Sequence, residues 1–168
     1  TNKAAREMKD RIASLIPGHD GARLRVMTFH GFCLEVLRGQ ENMKEGHQSF
    51  SIFSEADVYA LTTQVVNDLG LGKRAISRFV QDLPRMKRAA ILEYPGEVFS
   101  KELLQIFEEY QKRISTLGML DLDDLEIEAY RLCSQGPEVC HEYASRFIKI
   151  FVDEYQDTSP LQAALLKQ

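Results

Sequence analysis

Apolar residues recur at spacings of three and four along most of the chain, the period of a helix with one buried face. Ala5, Met8, Ile12 and Leu15 predict a helix from Asn2, stopped by Pro17-Gly18. Phe32, Cys33, Val36 and Leu37 predict a second, ending near Gly39, and residues 40–53, with His47-Gln48-Ser49 at their centre, read as loop. Ser54-Glu55-Ala56-Asp57 has the form of a capping box ahead of Val58, Leu61, Val65 and Leu69, a helix closed by Gly70 and Gly72. Ile76, Phe79, Val80 and Leu83 mark another, interrupted by Pro84. Leu103, Phe107, Tyr110, Ile114 and Leu117 predict the longest helix, from about Pro95 to Leu117, ended by Gly118. Leu125, Ala129 and Leu132 give a helix before the Gly136-Pro137 break, and 139–147 a short one after it.

Two stretches break the helical period. Leu24, Val26 and Thr28 alternate with Arg25 and Met27, which predicts a strand from Leu24 to Phe29. Phe147-Ile148-Lys149-Ile150-Phe151-Val152 is short, apolar and β-branched, the pattern of a strand covered on both faces in a parallel sheet. Asp153-Glu154 follow at once, and Ser159-Pro160 then opens a helix, with serine at the cap and proline in the first turn. Strand, acidic turn, helix is a ligand-binding order, because ligands in open α/β sheets sit beyond the carboxyl ends of the strands.

Composition narrows the class. The 168 residues are 44% hydrophobic and 27% charged, a globular balance, with 21 Lys and Arg against 25 Asp and Glu for a net charge of -4. That excludes a uniformly basic nucleic-acid coat but not a local patch. No apolar run reaches the ~18 residues of a membrane span, and the first residues are too polar for a signal peptide. Cys33, Cys133 and Cys140 have neither CxxC spacing nor an even count, which fits a reducing cytoplasm. The chain opens on Thr rather than Met and closes within a helical pattern, so it is expected to be a segment of something longer.

The acidic turn carries the most chemistry. A carboxylate of Asp153-Glu154 can hold Mg²⁺ directly or through water, the adjacent one can accept a proton from an attacking water, and Gln156 can sense a phosphate or orient that water. A charged surface turn that only leads into the cap at Ser159 is the plainer alternative. Between Lys73 and Arg88, six cations (Lys73, Arg74, Arg78, Arg85, Lys87 and Arg88) face Asp82 alone. This local excess of five could contact duplex phosphates, or be a solvated helix face. Asp121, Asp123 and Asp124 are a poor nuclease site, lacking a His or Lys nearby in sequence, and Asp121 could equally cap the next helix.

Val152-Asp153-Glu154-Tyr155-Gln156-Asp157-Thr158 resembles the Walker B box (motif II) of superfamily 1 helicases of the UvrD/Rep/PcrA group. Three further segments agree in the family's order. Thr1-Asn2-Lys3-Ala4-Ala5-Arg6-Glu7-Met8 is similar to motif Ia, Thr28-Phe29-His30-Gly31-Phe32-Cys33 to the T-F-H box, and Leu120-Asp121-Leu122-Asp123-Asp124-Leu125 to the segment before motif II. The resemblance spans essentially the whole chain. It implies an α/β fold: a helix-rich, partial RecA-like (P-loop NTPase) parallel sheet with an inserted all-helical subdomain. Residues 1–45 and 118–168 would belong to the RecA-like domain 1A, and 46–117 to subdomain 1B. The function implied is that of an ATP-dependent DNA helicase or translocase in repair or replication, with ATP and Mg²⁺ as cofactors. Its partners would be single-stranded and duplex DNA and the remaining helicase domains of the parent chain.

By position, the resemblance makes Asp153 the Mg²⁺ ligand and Glu154 the group that orients or deprotonates the water. Gln156 and Asp157 would link the nucleotide state to neighbouring motifs. Thr1, Asn2, Lys3, Thr28, Phe29 and His30 would line the single-strand track, and Arg85, Lys87 and Arg88 would lie near duplex. Taken alone, His30 is as readily a structural histidine. No G-x-x-x-x-G-K-[ST] loop is present, since Gly70-Leu71-Gly72-Lys73 lacks both the spacing and the Ser/Thr, so the isolated chain is expected to be inactive. The alternative is a non-catalytic DNA-binding or partner-docking helical module. A sheet missing its neighbouring strands would also leave an edge prone to self-association.

Overall fold

The computed structural model describes residues 2–16, 24–43, 50–92 and 97–168. The stop at Pro17-Gly18, the loop centre at His47, the helix start at Pro95, Thr1 and the 45/46 boundary fall outside these residues. Helices dominate: α1 (Asn2–Leu15), α2 (Phe29–Met43), α3 (Glu55–Asp68), α4 (Arg74–Leu92), α5 (Lys101–Thr116), α6 (Leu122–Gln135), α7 (Pro137–Ser145) and α8 (Pro160–Leu165). Strands β1 (Ser51–Ile52) and β2 (Met119–Leu120) pair in parallel, with Ser51 opposite Met119 and Ile52 opposite Leu120. The chain therefore leaves this small sheet at β1, runs through α3–α5, and returns beside it at β2.

Two hydrophobic clusters follow that path. Leu61, Val65 and Val66 of α3, Ile76, Phe79, Leu83 and Met86 of α4, and Leu103, Ile106, Tyr110 and Ile114 of α5 form one. Cys33 and Val36 of α2, Leu125, Ala129 and Cys133 of α6, Tyr143 of α7 and Leu165 of α8 form the other. The helix ends are set as the sequence indicates. Ser54 and Asp57 make a reciprocal capping box, and Gly70 and Gly118 take positive φ just past α3 and α5.

Four expectations are corrected. First, α4 runs unbroken through Pro84 as the longest helix, because its buried face continues on both sides, from Phe79 to Leu83 and Met86. Second, α2 does not end at Gly39. A Cβ there would stand 2.4 Å from Tyr143 Oη, so this glycine admits a close packing partner rather than ending a helix. Third, α5 begins only at Lys101, where the Ser100 side chain accepts the Leu103 N–H.

Fourth, neither expected strand is in a ladder. Residues 24–28 and 147–152 carry no sheet pairing among the described residues. Ile148 is 98% exposed and Phe151 89%, whereas β1 lies where loop was expected. An apolar run becomes a strand only when another strand takes its backbone hydrogen bonds. Among the described residues, no helix is long and apolar enough to cross a membrane.

Candidate functional site

Residues 153–157 form a tight, exposed acidic turn. Asp153 Oδ1 accepts the Glu154 N–H at 3.0 Å, and the Glu154 carbonyl accepts the Asp157 N–H at 2.8 Å as a single 3-10 turn (Tyr155–Asp157) forms. Glu154 sits at φ 49, ψ 44. It is the one non-glycine residue with positive φ among the described residues, in a left-handed conformation that costs a residue carrying a Cβ about 1 kcal/mol or more. Gln156 Nε2 donates to Glu154 Oε2, so the carboxylate and amide are held together. Beyond the turn, the Ser159 hydroxyl accepts the Gln162 N–H, and Gln162 Oε1 accepts the Ser159 N–H at 3.0 Å, which caps α8.

The turn's donor set suits a nucleotide-bound hard cation better than a free-standing metal site. Mg²⁺ binds through one or two carboxylates plus substrate phosphates and keeps several waters. Asp153 offers an exposed carboxylate with only one oxygen engaged by the backbone, and no cluster of three ligating side chains exists among the described residues.

The segments resembling motif Ia and the T-F-H box meet. Thr28 Oγ1 lies 3.4 Å from Asn2 Oδ1 as a donor and accepts the Gly31 N–H at 3.1 Å, so it caps the start of α2. Lys3, exposed, stands 3.8 Å from Glu7. Phe29 is half-buried. His30, the second residue of α2, has its side chain 43% exposed and Nε2 3.4 Å from Glu126 Oε1. Thr1 lies outside the described residues.

The basic cluster divides in two. Lys87 does not belong to an exposed patch: it is 1% exposed, and its Nζ donates to Asp121 Oδ2 at 2.6 Å and Asp124 Oδ1 at 2.5 Å. Tyr110 Oη donates to the same Asp121 oxygen at 2.9 Å. An ammonium enclosed by two carboxylates and a phenol cannot reach a phosphate, which corrects its assignment to the duplex. Arg88 is half-buried, 3.7 Å from Asp123, and Arg85 is exposed but paired with Asp82 and Glu97. Lys73, Arg74 and Arg78 are exposed and have no ion-pair partner among the described residues.

Asp121 caps α6, its Oδ1 accepting the Asp124 N–H while Asp124 Oδ2 accepts the Asp121 N–H. Burial, with Asp121 alongside, raises the Asp123 carboxyl to about 6 against the opposing pull of Lys87 and Arg88. Burial likewise raises Asp124, opposed by Lys87, and drives the Cys33 thiol up to about 12, making it a packing residue rather than a nucleophile.

Two polar residues beside the site were missed by sequence reasoning. Glu126 is 5% exposed, and its Oε1 accepts from Gln162 Nε2 at 2.6 Å. Gln162 had a readable signal in Ser159-x-x-Gln162, the spacing of a capping box. For Glu126 the signal was a charge at the buried stripe of α6, seven residues before Cys133.

A family model described as the UvrD/REP helicase N-terminal domain matches residues 1–168. The chain is 35% identical over 179 aligned residues to "ATP-dependent DNA helicase UvrD1" of Mycobacterium leprae, with all of this chain and 23% of that protein covered. It is 34% identical to UvrD1 of Mycobacterium tuberculosis H37Rv, with the same coverage. To "ATP-dependent DNA helicase PcrA" of Bacillus subtilis it is 32% identical, over all of this chain and 24% of the relative. The chain thus spans about a quarter of the length of these curated relatives.

Proposed function

Because the chain belongs to the UvrD/REP helicase N-terminal domain family, we propose that it is part of an ATP-driven DNA helicase, supplying the Walker B turn and one wall of the single-strand track. The observation that carries this reading is Glu154. A backbone held in a strained left-handed conformation, with its carboxylate fixed by Gln156, is the arrangement expected where geometry serves chemistry rather than stability. Asp153 would hold the Mg²⁺ of a bound nucleotide, and that ion would neutralise charge developing on the phosphates. Glu154 would orient the attacking water and take its proton, while Gln156 fixes the carboxylate that does so. Asp157 would link the turn to neighbouring motifs.

Asn2, Lys3, Thr28, Phe29 and His30 would face a single strand, supported by the Asn2–Thr28 contact that joins the two boxes. We assign residues 46–117 to the inserted helical subdomain. Its support is that α3–α5 have a hydrophobic cluster of their own, between a departure at β1 and a return at β2. Duplex contact falls to one face of α4, where Arg74, Arg78 and Arg85 recur at helical spacing opposite the buried face. Cytoplasmic action on DNA fits the same reading.

The test is ATP turnover in the polypeptide that contains this chain. Glu154→Gln is expected to lower single-strand-stimulated hydrolysis by about 10²–10⁴ while nucleotide still binds. The isolated chain, without a phosphate-binding loop, is expected to show no turnover. Full activity of the E154Q protein would sink the assignment. A DNA-binding module without catalysis would instead show salt-sensitive duplex binding and no turnover in the longer polypeptide.

A further inference from the structure

Glu126 is a buried carboxylate with no Lys or Arg ion-paired to it among the described residues. Burying such a charge is unfavourable, and an apolar side chain of similar size is usually no worse for stability. A stabilising role therefore explains Glu126 poorly, and its partners suggest another. On one side stands His30 at the mouth of α2, Nε2 3.4 Å from Oε1. On the other stands Gln162 of α8, whose Nε2 donates to the same Oε1 at 2.6 Å. The direction of that amide is fixed, because Gln162 Oε1 is taken by the Ser159 N–H that caps α8. One carboxylate oxygen thus joins the imidazole to the first turn of the helix that directly follows the acidic turn.

We propose that Glu126 is a positioning residue: it fixes the orientation of His30 toward a nucleic-acid strand and ties that orientation to α8. This rests on the reading of His30 as a strand-facing residue. The imidazole keeps 43% of its side-chain surface exposed while Nε2 faces Glu126, so the ring has the carboxylate at its back without being enclosed. A ring oriented in advance loses less freedom when a base or phosphate arrives, which is a gain in affinity. Since Glu126 touches no nucleic acid in this scheme, its whole effect must pass through His30.

That requirement makes the proposal testable by a double-mutant cycle in the polypeptide that contains this chain. The readout is fluorescence anisotropy of a labelled oligo-dT strand at one salt concentration. His30→Ala and Glu126→Leu are each expected to weaken binding about fivefold, the lower end of ordinary coupling between sites. The double variant is expected to be no weaker than H30A alone. Glu126→Gln, which keeps an acceptor oxygen, should return binding to within about twofold of the parent.

If the two single effects instead multiply, to about 25-fold, Glu126 acts independently of His30 and the proposal falls. Wild-type binding by E126L beside a weakened H30A overturns it too. Unchanged binding by H30A would sink the strand-facing reading of His30 itself, a different failure. Should E126L not fold, Glu126→Ala enters the same cycle with the same criteria.

Discussion

Replacing Lys87 by Met tests whether the cation at the junction of α4, α5 and α6 is structural. The substitution keeps the length and apolar volume of the stem and removes only the ammonium. Asp121 and Asp124, joined to each other by a reciprocal cap and to Tyr110 through Asp121, would then share an enclosed site with no counter-charge. Breaking a buried pair from one side costs about 3–5 kcal/mol, because the remaining charge stays desolvated. The escape is protonation of one aspartate. At pH 7.5 that costs about 5 kcal/mol for a carboxyl of ordinary acidity, and less for Asp124, which burial raises.

Both routes place the loss at several kcal/mol. For a chain of this size that is a drop of about 6–20 °C in thermal midpoint. Urea unfolding at pH 7.5 and pH 5 measures it directly. The deficit should shrink at the lower pH, where protonation is cheaper, and added salt should change it little because the pair is shielded from solvent. Lys87→Met combined with Asp121→Asn and Asp124→Asn should recover most of the stability, since a neutral cluster leaves no stranded charge. A K87M protein within about 1 kcal/mol of the parent at both pH values would refute the reasoning. Lys87 would then behave as the surface lysine that charge counting suggests.

Asp123 gives a pH dependence of known sign. Its carboxyl is raised to about 6, so the folded state takes up the proton first. Its contribution to stability is full below the unfolded value near 4 and is lost as pH rises through 6. Asp123→Asn should therefore add about 1–2 kcal/mol at pH 7.5, a figure reduced for its partial exposure and its Arg88 partner, and flatten the urea midpoint between pH 4 and 6. Gly39→Ala should cost about 1–3 kcal/mol, because its Cβ would overlap Tyr143 Oη. Adding Tyr143→Phe should restore part of that loss by removing the overlapped oxygen, as thermal denaturation of the pair would show. Glu154→Gly should leave the fold about as stable or up to about 1 kcal/mol more stable, while ATP turnover of the longer polypeptide is lost. A large loss of stability instead would mean that Glu154 is not strained.

Helices were legible because their signals are local. Ser54 and Ser159 sit where their caps form, Asp121 caps α6 as its position allowed, and Gly70 and Gly118 stand just past helix ends. The errors came where a residue's meaning depends on something distant in sequence. Pro84 looks like an interruption until the buried face is seen to run on to Met86. Gly39 looks like a terminator until Tyr143, more than a hundred positions away, is seen above it. Residues 147–152 have the composition of a buried strand, but composition is half of a strand and a hydrogen-bonded neighbour is the other half. For the site, the position of the acidic turn just ahead of the Ser159 cap was readable, but the left-handed backbone of Glu154 was not, since no residue type there announces it.

Charge was the least legible property, for a reason that can be turned into a rule. Counting placed Lys87 with its neighbours in a cationic patch, yet Lys87 lies four residues beyond Leu83 and one beyond Met86, on the buried stripe of α4. Glu126 follows Leu125 and precedes Ala129 by three, on the buried stripe of α6. Each breaks the apolar pattern at one position without ending the helix. Each proves to be enclosed, Lys87 joining α4 to α6 and Glu126 joining α6 to α8 and to His30. A charge on the apolar stripe must find a partner from another element or be expelled, so its position forecasts a tertiary contact that its sign alone does not. Arg74 and Arg78, on the opposite face of the same helix as Lys87, break no pattern and are exposed. The sequence distinction that matters for the DNA contact proposed on α4 is therefore helical phase, and it separates Arg74, Arg78 and Arg85 from Lys87 before any partner is known.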